Sequence, residues 1–226
     1  MLTTRLWIDG SSLAFIHGNK KNYRETIYNH IKTLTERFHT DDFNIILEDS
    51  KTNFRNKVSV SSVYKGQRRT KKKKKAIATY LPYLKNCFRE IKNTYDPITY
   101  LNVENDDAIA ILASRISNSV MIANDRDYLA VPGIYYNIKT NKTTVIQYPG
   151  KIELVKNKIH AIGYYQIYFQ LLKGSPKENY KGVEGIGEKS AFNILLKCST
   201  EQEMKQVCTQ LFIDRYGLKE GIKKLE

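Results

Sequence analysis

Carboxylates recur at one place in the pattern of this sequence. Asp9 follows the apolar run 5–8, and Asp49 follows 43–47. Glu104, Asp106 and Asp107 follow 97–101, and Asp125 and Asp127 follow 119–123. Each run reads as a short strand that stops at a turn. In a parallel sheet these seven acids would meet at one rim, where like charges repel by several kcal/mol. Aspartate is also an ordinary turn and N-cap residue, but four strand ends in succession exceed that preference. The chain as a whole is basic, with 37 Lys and Arg against 23 Asp and Glu and a net charge of +14. A divalent cation would remove the conflict, and hard Mg²⁺ takes oxygen ligands from few carboxylates. His17, His30, His39 and His160 are isolated in the sequence, which argues against zinc or imidazole acid–base chemistry. No Gly-rich loop with Lys-Ser/Thr marks a triphosphate site.

The elements that must position these acids follow from periodicity. Tyr23, Ile27, Ile31, Leu34 and Phe38 repeat at helical spacing, so 23–38 is a predicted helix. Further helices are predicted over 76–95, 106–117, 159–173 and 188–198, with one or two over 202–225. Pro82 marks a break or a first turn in the 76–95 segment. Residues 51–70 read as irregular, 174–187 as a loop, and 134–138 with 143–148 as a hairpin. Strands alternating with helices through residue 130 imply a mostly parallel α/β sheet, whose ligands bind beyond the carboxyl ends of the strands.

The 226 residues suit one domain with an appendage, or two small ones. Cys87, Cys198 and Cys208 are odd in number and suit a reducing cytoplasm. No apolar run approaches the ~20 residues of a membrane span, and the N-terminal residues lack an export signal. The basic excess points to a polyanion, most often nucleic acid.

Six motifs stand in order: Asp9-Gly10-Ser11; Asp49; Tyr64-Lys65-Gly66-Gln67-Arg68; Val103-Glu104-Asn105-Asp106-Asp107; Asn124-Asp125-Arg126-Asp127; and Gly182-Val183-Glu184-Gly185-Ile186-Gly187-Glu188-Lys189. This set resembles the structure-specific 5′ nucleases: flap endonucleases, bacteriophage 5′–3′ exonucleases and the 5′-nuclease domain of DNA polymerase I. The resemblance spans about residues 4–197, and the small size is most like the phage members.

The resemblance implies a PIN-like α/β core over 1–150, with a basic helical arch at about 55–95. A helical DNA-binding region follows over 151–226, with a helix–three-turn–helix at about 159–198. It implies two Mg²⁺ ions, for which Mn²⁺ substitutes. Asp9, Asp49, Glu104 and Asp106 match acids around the first ion. Asp125 and Asp127 match those around the second, Asp106 lies near both, and Asp107 matches a further acid. In such a site one metal activates a water, the other stabilises the leaving oxygen, and the two lie roughly 4 Å apart. Asp9 and Asp106 are thereby expected in the catalytic set with Lys65 and Arg68. Those two basic residues match groups at the base of the arch that contact the scissile phosphate. Tyr64, Arg69, Lys71, Lys72, Lys73, Lys74 and Lys75 are expected to line the path of a single 5′ strand. A run of five lysines on its own reads as a solvated, self-repelling segment. Phe15 matches an aromatic that stacks on a base, the other reading being core packing. Gly182, Gly185, Gly187 and Lys189 match the hairpin that grips duplex phosphates, where the family often holds a K⁺ on hairpin carbonyls.

One departure stands out. The family has two acids three residues apart before this hairpin, and here those positions are Ser175 and Glu178. A serine cannot supply the missing charge, so the second metal is expected to bind weakly or to lean on Glu178. The expected activity is cleavage of DNA with 5′ flaps, forks or gaps, and of RNA–DNA primers, in replication. The protein would act as a monomer, in the host cytoplasm if of phage origin. Two other readings stay open: a branched-DNA binder with little or no cleavage, and a PIN-domain ribonuclease acting on single-stranded RNA.

Overall fold

A computed structural model describes residues 4–18, 21–48, 71–100, 103–177 and 179–225, without the side chains of 71–81. The chain divides into two units, one of described residues up to 145 and one that includes Ile146–Glu226.

The first unit is built on β1 (Arg5–Asp9), β2 (Phe43–Glu48), β3 (Ile98–Tyr100), β4 (Ser119–Ala123), β5 (Gly133–Asn137) and β6 (Lys142–Ile146). They form one sheet in the order β3-β2-β1-β4-β5-β6. β1 pairs in parallel with β2 and β4, β2 with β3, and β4 with β5. Strands 1 to 3 step outward on one side of β1, and the chain then returns to lay β4 on its other side. The strand order therefore reverses between β1 and β4, the place where open α/β sheets leave a crevice at their carboxyl ends.

The helices of this unit are α1 (Gly10–His17), α2 (Tyr23–Phe38), α3 (Lys71–Tyr95) and α4 (Asn105–Arg115), with a 3₁₀ turn at Arg126–Ala130. Leu13 and Ala14 of α1, Ile27, Ile31 and Leu34 of α2, and Leu84, Cys87 and Ile91 of α3 share one core with Leu6, Ile8 and Ile45 of the sheet. α4 packs on β1, β2 and β4.

Two features of this unit depart from the sequence reading. The segment after Asp9 is not a turn; α1 begins at once, with Asp9 as its N-cap accepting from the Ser11 and Ser12 amides. Gly10 permits the tight entry, because a Cβ there would lie 2.4 Å from Leu47 Cδ2 and 3.0 Å from the Ile46 carbonyl oxygen. Pro82 neither breaks nor starts a helix; α3 runs through it, and the five lysines form its first residues. The proline removes one hydrogen bond, but Leu84, Cys87 and Ile91 anchor the following turns in the core.

The second unit opens with β7 (Gly150–Val155) and β8 (Lys158–Gly163), an antiparallel pair. α5 (Tyr164–Lys173), α6 (Glu188–Leu195), α7 (Glu201–Tyr216) and α8 (Leu218–Leu225) follow. The expected helix over 159–173 is corrected here, since its first residues are β8. Lys156 and Asn157 both take positive φ, 48° and 59°, the two-residue turn that matches strand twist. Ile159 and Ala161 then alternate inward as a strand requires. Leu172, Ala191, Leu195, Met204, Cys208 and Phe212 fill the core of this unit. Tyr165 and Tyr168 are packed into it. Cys87, Cys198 and Cys208 are buried free thiols. Among the described residues no helix is long and apolar enough to cross a membrane.

Gly10→Ala forces α1 away from β2, so it is expected to destabilise the protein by ~1–3 kcal/mol, the usual range for overpacking. A lower denaturant midpoint at unchanged m-value would report it.

Candidate metal centre

Asp9 ends the central strand and is only 6% exposed. Its Oδ1 accepts from the Ser11 amide at 2.9 Å, the Ser12 amide at 3.3 Å and Asn105 Nδ2 at 3.0 Å. Its Oδ2 accepts from Ser12 Oγ at 2.9 Å. Oδ1 is therefore saturated, and Oδ2 keeps a lone pair for a further partner. Ser12 Oγ also accepts from the Asn124 amide at 2.9 Å, and Asn105 Nδ2 also donates to Ser11 Oγ at 2.8 Å. One carboxylate thus ties together α1, the start of α4 and the loop after β4. Burial pushes the Asp9 carboxyl above its ordinary range, against the opposing hydrogen bonds from Asn105, Ser12 and Ser11. An ion at this place calls for a counter-charge.

Beside it, Glu104 precedes α4 as its N-cap residue and is buried, while Asp106 and Asp107 lie in the first turn. The helix N-terminus favours negative charge there. Among the described residues these three form the group whose ligand oxygens all lie within 4.8 Å of one another. Asp125 and Asp127 sit on the loop and 3₁₀ turn after β4, where Asp125 Oδ1 accepts from the Asp127 amide at 3.1 Å. Tyr135 Oη, 2.8 Å from the Asp125 carbonyl oxygen, donates to it and steadies this loop. In turn, Asn137 Nδ2 donates to Tyr135 Oη at 3.0 Å.

The residues present fit a divalent cation. Every candidate ligand is an oxygen, the donor set that hard cations take. In addition, the Asn105 Oδ1 acceptor is buried with no hydrogen-bond partner. Its amide is oriented by Nδ2 donating to Asp9 and Ser11, so Oδ1 is held toward some other donor. A cation or its bound water satisfies such an atom.

Asp49, Tyr64, Lys65, Arg68, Arg69 and Glu178 lie outside the described residues. Lys71, Lys72, Lys73, Lys74 and Lys75 lie in the helical backbone of α3. Phe15 is 68% exposed, on the face of α1 away from Leu13, Ala14 and His17, and so is not core. Gly182 and Gly185 take positive φ, 68° and 87°. Gly187 caps α6 without a side chain, and Lys189 stands exposed in its first turn. Ser175 pairs its backbone with Tyr180 at 2.7 and 3.0 Å. The histidines are not all isolated in space, because helices α1 and α2 bring His17 Nε2 within 2.8 Å of His30 Nδ1. Sequence reasoning assigned no role to Ser12, Asn105, Tyr128 or Tyr135. Asn105 stood inside the acidic motif, and its position between Glu104 and Asp106 was the available signal.

No family model matches the chain. The flap endonuclease of Escherichia phage T5 is 25% identical over 202 residues, covering 83% of this chain and 68% of that protein. DNA polymerase I of Bacillus caldotenax is 27% identical over 216 residues, covering 87% of this chain but only 24% of the polymerase. Solved structures of the phage T5 protein share the fold. One, with divalent zinc ions bound, aligns at a TM-score of 0.67 with 21% identity, covering 98% of this chain and 92% of that one. Another, a complex with DNA and metal ions, aligns at 0.65 with 20% identity over the same shares.

The raised Asp9 carboxyl has a testable sign. Below the ordinary carboxylate range the group is protonated whether the chain is folded or not. As pH rises through that range and on through the raised folded value, the folded state loses stability. Asp9→Asn keeps the shape and removes the charge. In chelator near pH 8 its thermal midpoint is expected to exceed that of the wild type by a few degrees, the gap closing as pH falls toward 4. Saturating Mg²⁺ is expected to raise the midpoint of the wild type and leave the variant unmoved.

Proposed function

The chain is a relative of the structure-specific 5′ nucleases, and on that basis we propose that it is a metal-dependent phosphodiesterase cutting DNA near single-strand/duplex junctions. The observation that carries this reading is the set Glu104, Asp106 and Asp107, with ligand oxygens within 4.8 Å of one another. This set adjoins the buried Asp9 at the switch point of a parallel sheet. When bound there, divalent cations supply a water of lowered pKa and charge relief for the leaving oxygen. Asp9, Asp49, Glu104 and Asp106 would hold one Mg²⁺, and Asp125 and Asp127 a second that leans on Glu178, with Asp106 near both, Asp107 as a further acid, and Mn²⁺ able to replace both.

The remaining roles belong to the residues that bind the polyanion. Lys65 and Arg68 would neutralise the scissile phosphate. Tyr64, Arg69 and the lysines 71–75 would guide a single 5′ strand electrostatically. Phe15, exposed on the helix that Asp9 caps, would stack on a base, a contact worth about 1–3 kcal/mol. The 182–187 hairpin and the N-terminus of α6 would bind duplex phosphates through backbone amides, with Lys189 beside them and a K⁺ on the hairpin carbonyls. The substrates of this reading are 5′ flaps, forks, gaps and RNA–DNA primers, met by a monomer in the cytoplasm, the host's if the protein is of phage origin.

One observation favours a second reading, a branched-DNA binder that cuts poorly. Ser175 stands where the resemblance expects an acid, so the second cation has one carboxylate fewer.

A labelled 5′-flap DNA separates these. Wild type is expected to cut near the junction with Mg²⁺ and not in chelator, with Asp106→Asn slower by about 100-fold or more. Equal rates for the two proteins would overturn the site. A substrate that is retarded but uncut at every Mg²⁺ and Mn²⁺ concentration would establish the binder, and equal cutting of unstructured RNA the ribonuclease.

The serine makes its own prediction. Wild type should need high Mg²⁺ or prefer Mn²⁺, and Ser175→Asp should lower the half-saturating Mg²⁺ concentration several-fold. Full wild-type activity at sub-millimolar Mg²⁺ would contradict it.

A further inference from the structure

The second unit holds a cavity that the reading above does not use. Its volume is about 790 Å³, within the ~300–1,000 Å³ common to small-ligand sites. Residues from the end of α5, the connection into the 182–187 hairpin, α7 and α8 line it. One wall is aromatic, where the Phe212 and Tyr216 rings meet with centroids 6.0 Å apart. The Tyr216 hydroxyl accepts from the Glu184 amide at 2.9 Å and donates to the Gly182 carbonyl at 3.2 Å. This wall is thereby fastened to the hairpin.

Lys173, Lys181 and Lys224 line the same cavity. Lys224 Nζ lies 4.9 Å from the centre of the Tyr216 ring, which sets its ammonium at the aromatic wall. The Lys173 and Lys224 side chains are only 24% and 29% exposed. They pair with Glu188 at 3.2 Å and Glu220 at 3.6 Å, whose own side chains are 68% and 52% exposed. Ion pairs with so exposed a partner contribute little, so an arriving anion draws on both ammonium groups at small cost. Among the described residues the acid on the wall is Glu184, and Arg215 Nη2 holds it at 2.8 Å. The cavity is therefore cationic, with an aromatic side.

We propose that this cavity binds a nucleoside monophosphate, with its phosphate on the lysines and its base against Phe212 and Tyr216. Ammonium groups bind phosphate as point charges, and a planar base buries its surface against aromatic rings. Inorganic phosphate would leave the aromatic wall unused, and a nucleoside would leave the lysines without a counter-charge. The choice of a nucleotide rests on the nuclease reading above, because cleavage at the end of a strand releases such a molecule. The carboxylates belong to the first unit, so binding here needs no divalent cation.

Calorimetric titration of the full chain in chelator tests this, with deoxyadenosine 5′-monophosphate, inorganic phosphate and deoxyadenosine as separate probes. The nucleotide is expected to bind saturably and about 10-fold more tightly than either fragment, the usual worth of one hydrogen bond to a charged group. Lys173→Gln, Lys181→Gln and Lys224→Gln are each expected to weaken it several-fold. Lys205→Gln, at an exposed position of α7 outside the cavity, is expected to leave it unchanged. No saturable binding of the nucleotide overturns the proposal, as does equal binding by all four variants, or phosphate that binds as tightly as the nucleotide. Should a variant lack the wild-type circular dichroism spectrum, salt on the wild type decides: the nucleotide affinity must fall as salt rises while that of deoxyadenosine holds, and a nucleotide affinity indifferent to salt overturns the assignment. Cleavage of flap DNA without nucleotide binding overturns this inference alone. Nucleotide binding without cleavage overturns the nuclease reading and leaves the cavity assigned.

Discussion

An ionised carboxylate at the end of a central β-strand loses most of its hydration, a cost of several kcal/mol after relaxation. Asp9 is in that position, and much of the first unit is arranged around it. Two amides at the start of α1, a serine hydroxyl and an asparagine amide all donate to it. Those donors offset part of the desolvation and fix the direction of the group. They do not replace a counter-charge, because neutral dipoles leave the net charge in place. Glu104, Asp106 and Asp107 add to it. These acids leave an electrostatic deficit that a bound cation would relieve, as protonation of Asp9 partly does, and this ties the fold to the proposed chemistry.

The same donors explain the precision of the site. Asn105 joins α4 to Asp9 and to Ser11, and Ser12 joins Asp9 to the loop after β4. Glu104 and Asp106 flank Asn105, and Asp125 follows Asn124, so these acids are carried on connections tied to Asp9 directly or through Ser12. Gly10 allows this compactness by bringing α1 against β2. Displacing any one of the three elements moves carboxylates on the others, so the site responds as a unit to changes in its support.

Much of this arrangement was legible in the sequence. The four core strands were readable because short apolar runs ended in acids, and the parallel order followed from their alternation with helices. The acids themselves were readable because their positions repeat. What supports them was not. The Asp-Gly-Ser-Ser stretch after β1 has the composition of a turn and of an N-cap alike, and the Ser11 and Ser12 amides donating to Asp9 mark it as a helix start. The 158–163 segment has too few residues to separate a strand from a helix, and its pairing with β7 settles it. His17 and His30 meet through the packing of two helices, which spacing along the chain does not reveal. Asn105 keeps a buried oxygen without a partner, a property of three-dimensional accounting that no single position in the sequence displays.

The charge balance then takes on a particular meaning. A chain of net charge +14 attracts a polyanion at long range, within a Debye length of about 8–10 Å at ordinary salt. The rim at the ends of β1 and β4 has the opposite sign, and without a cation it would repel a phosphate at the distance where chemistry occurs. Divalent ions bound at the proposed site would reverse that sign locally while leaving the basic surface unchanged. Binding of metal and close approach of a phosphodiester are therefore coupled by the Coulomb term alone, before any bond is made, and by linkage each must strengthen the other. On the proposed function, the basic residues would hold a nucleic acid near the protein in the absence of metal, and the acidic rim would keep it out of reacting position until cations are bound.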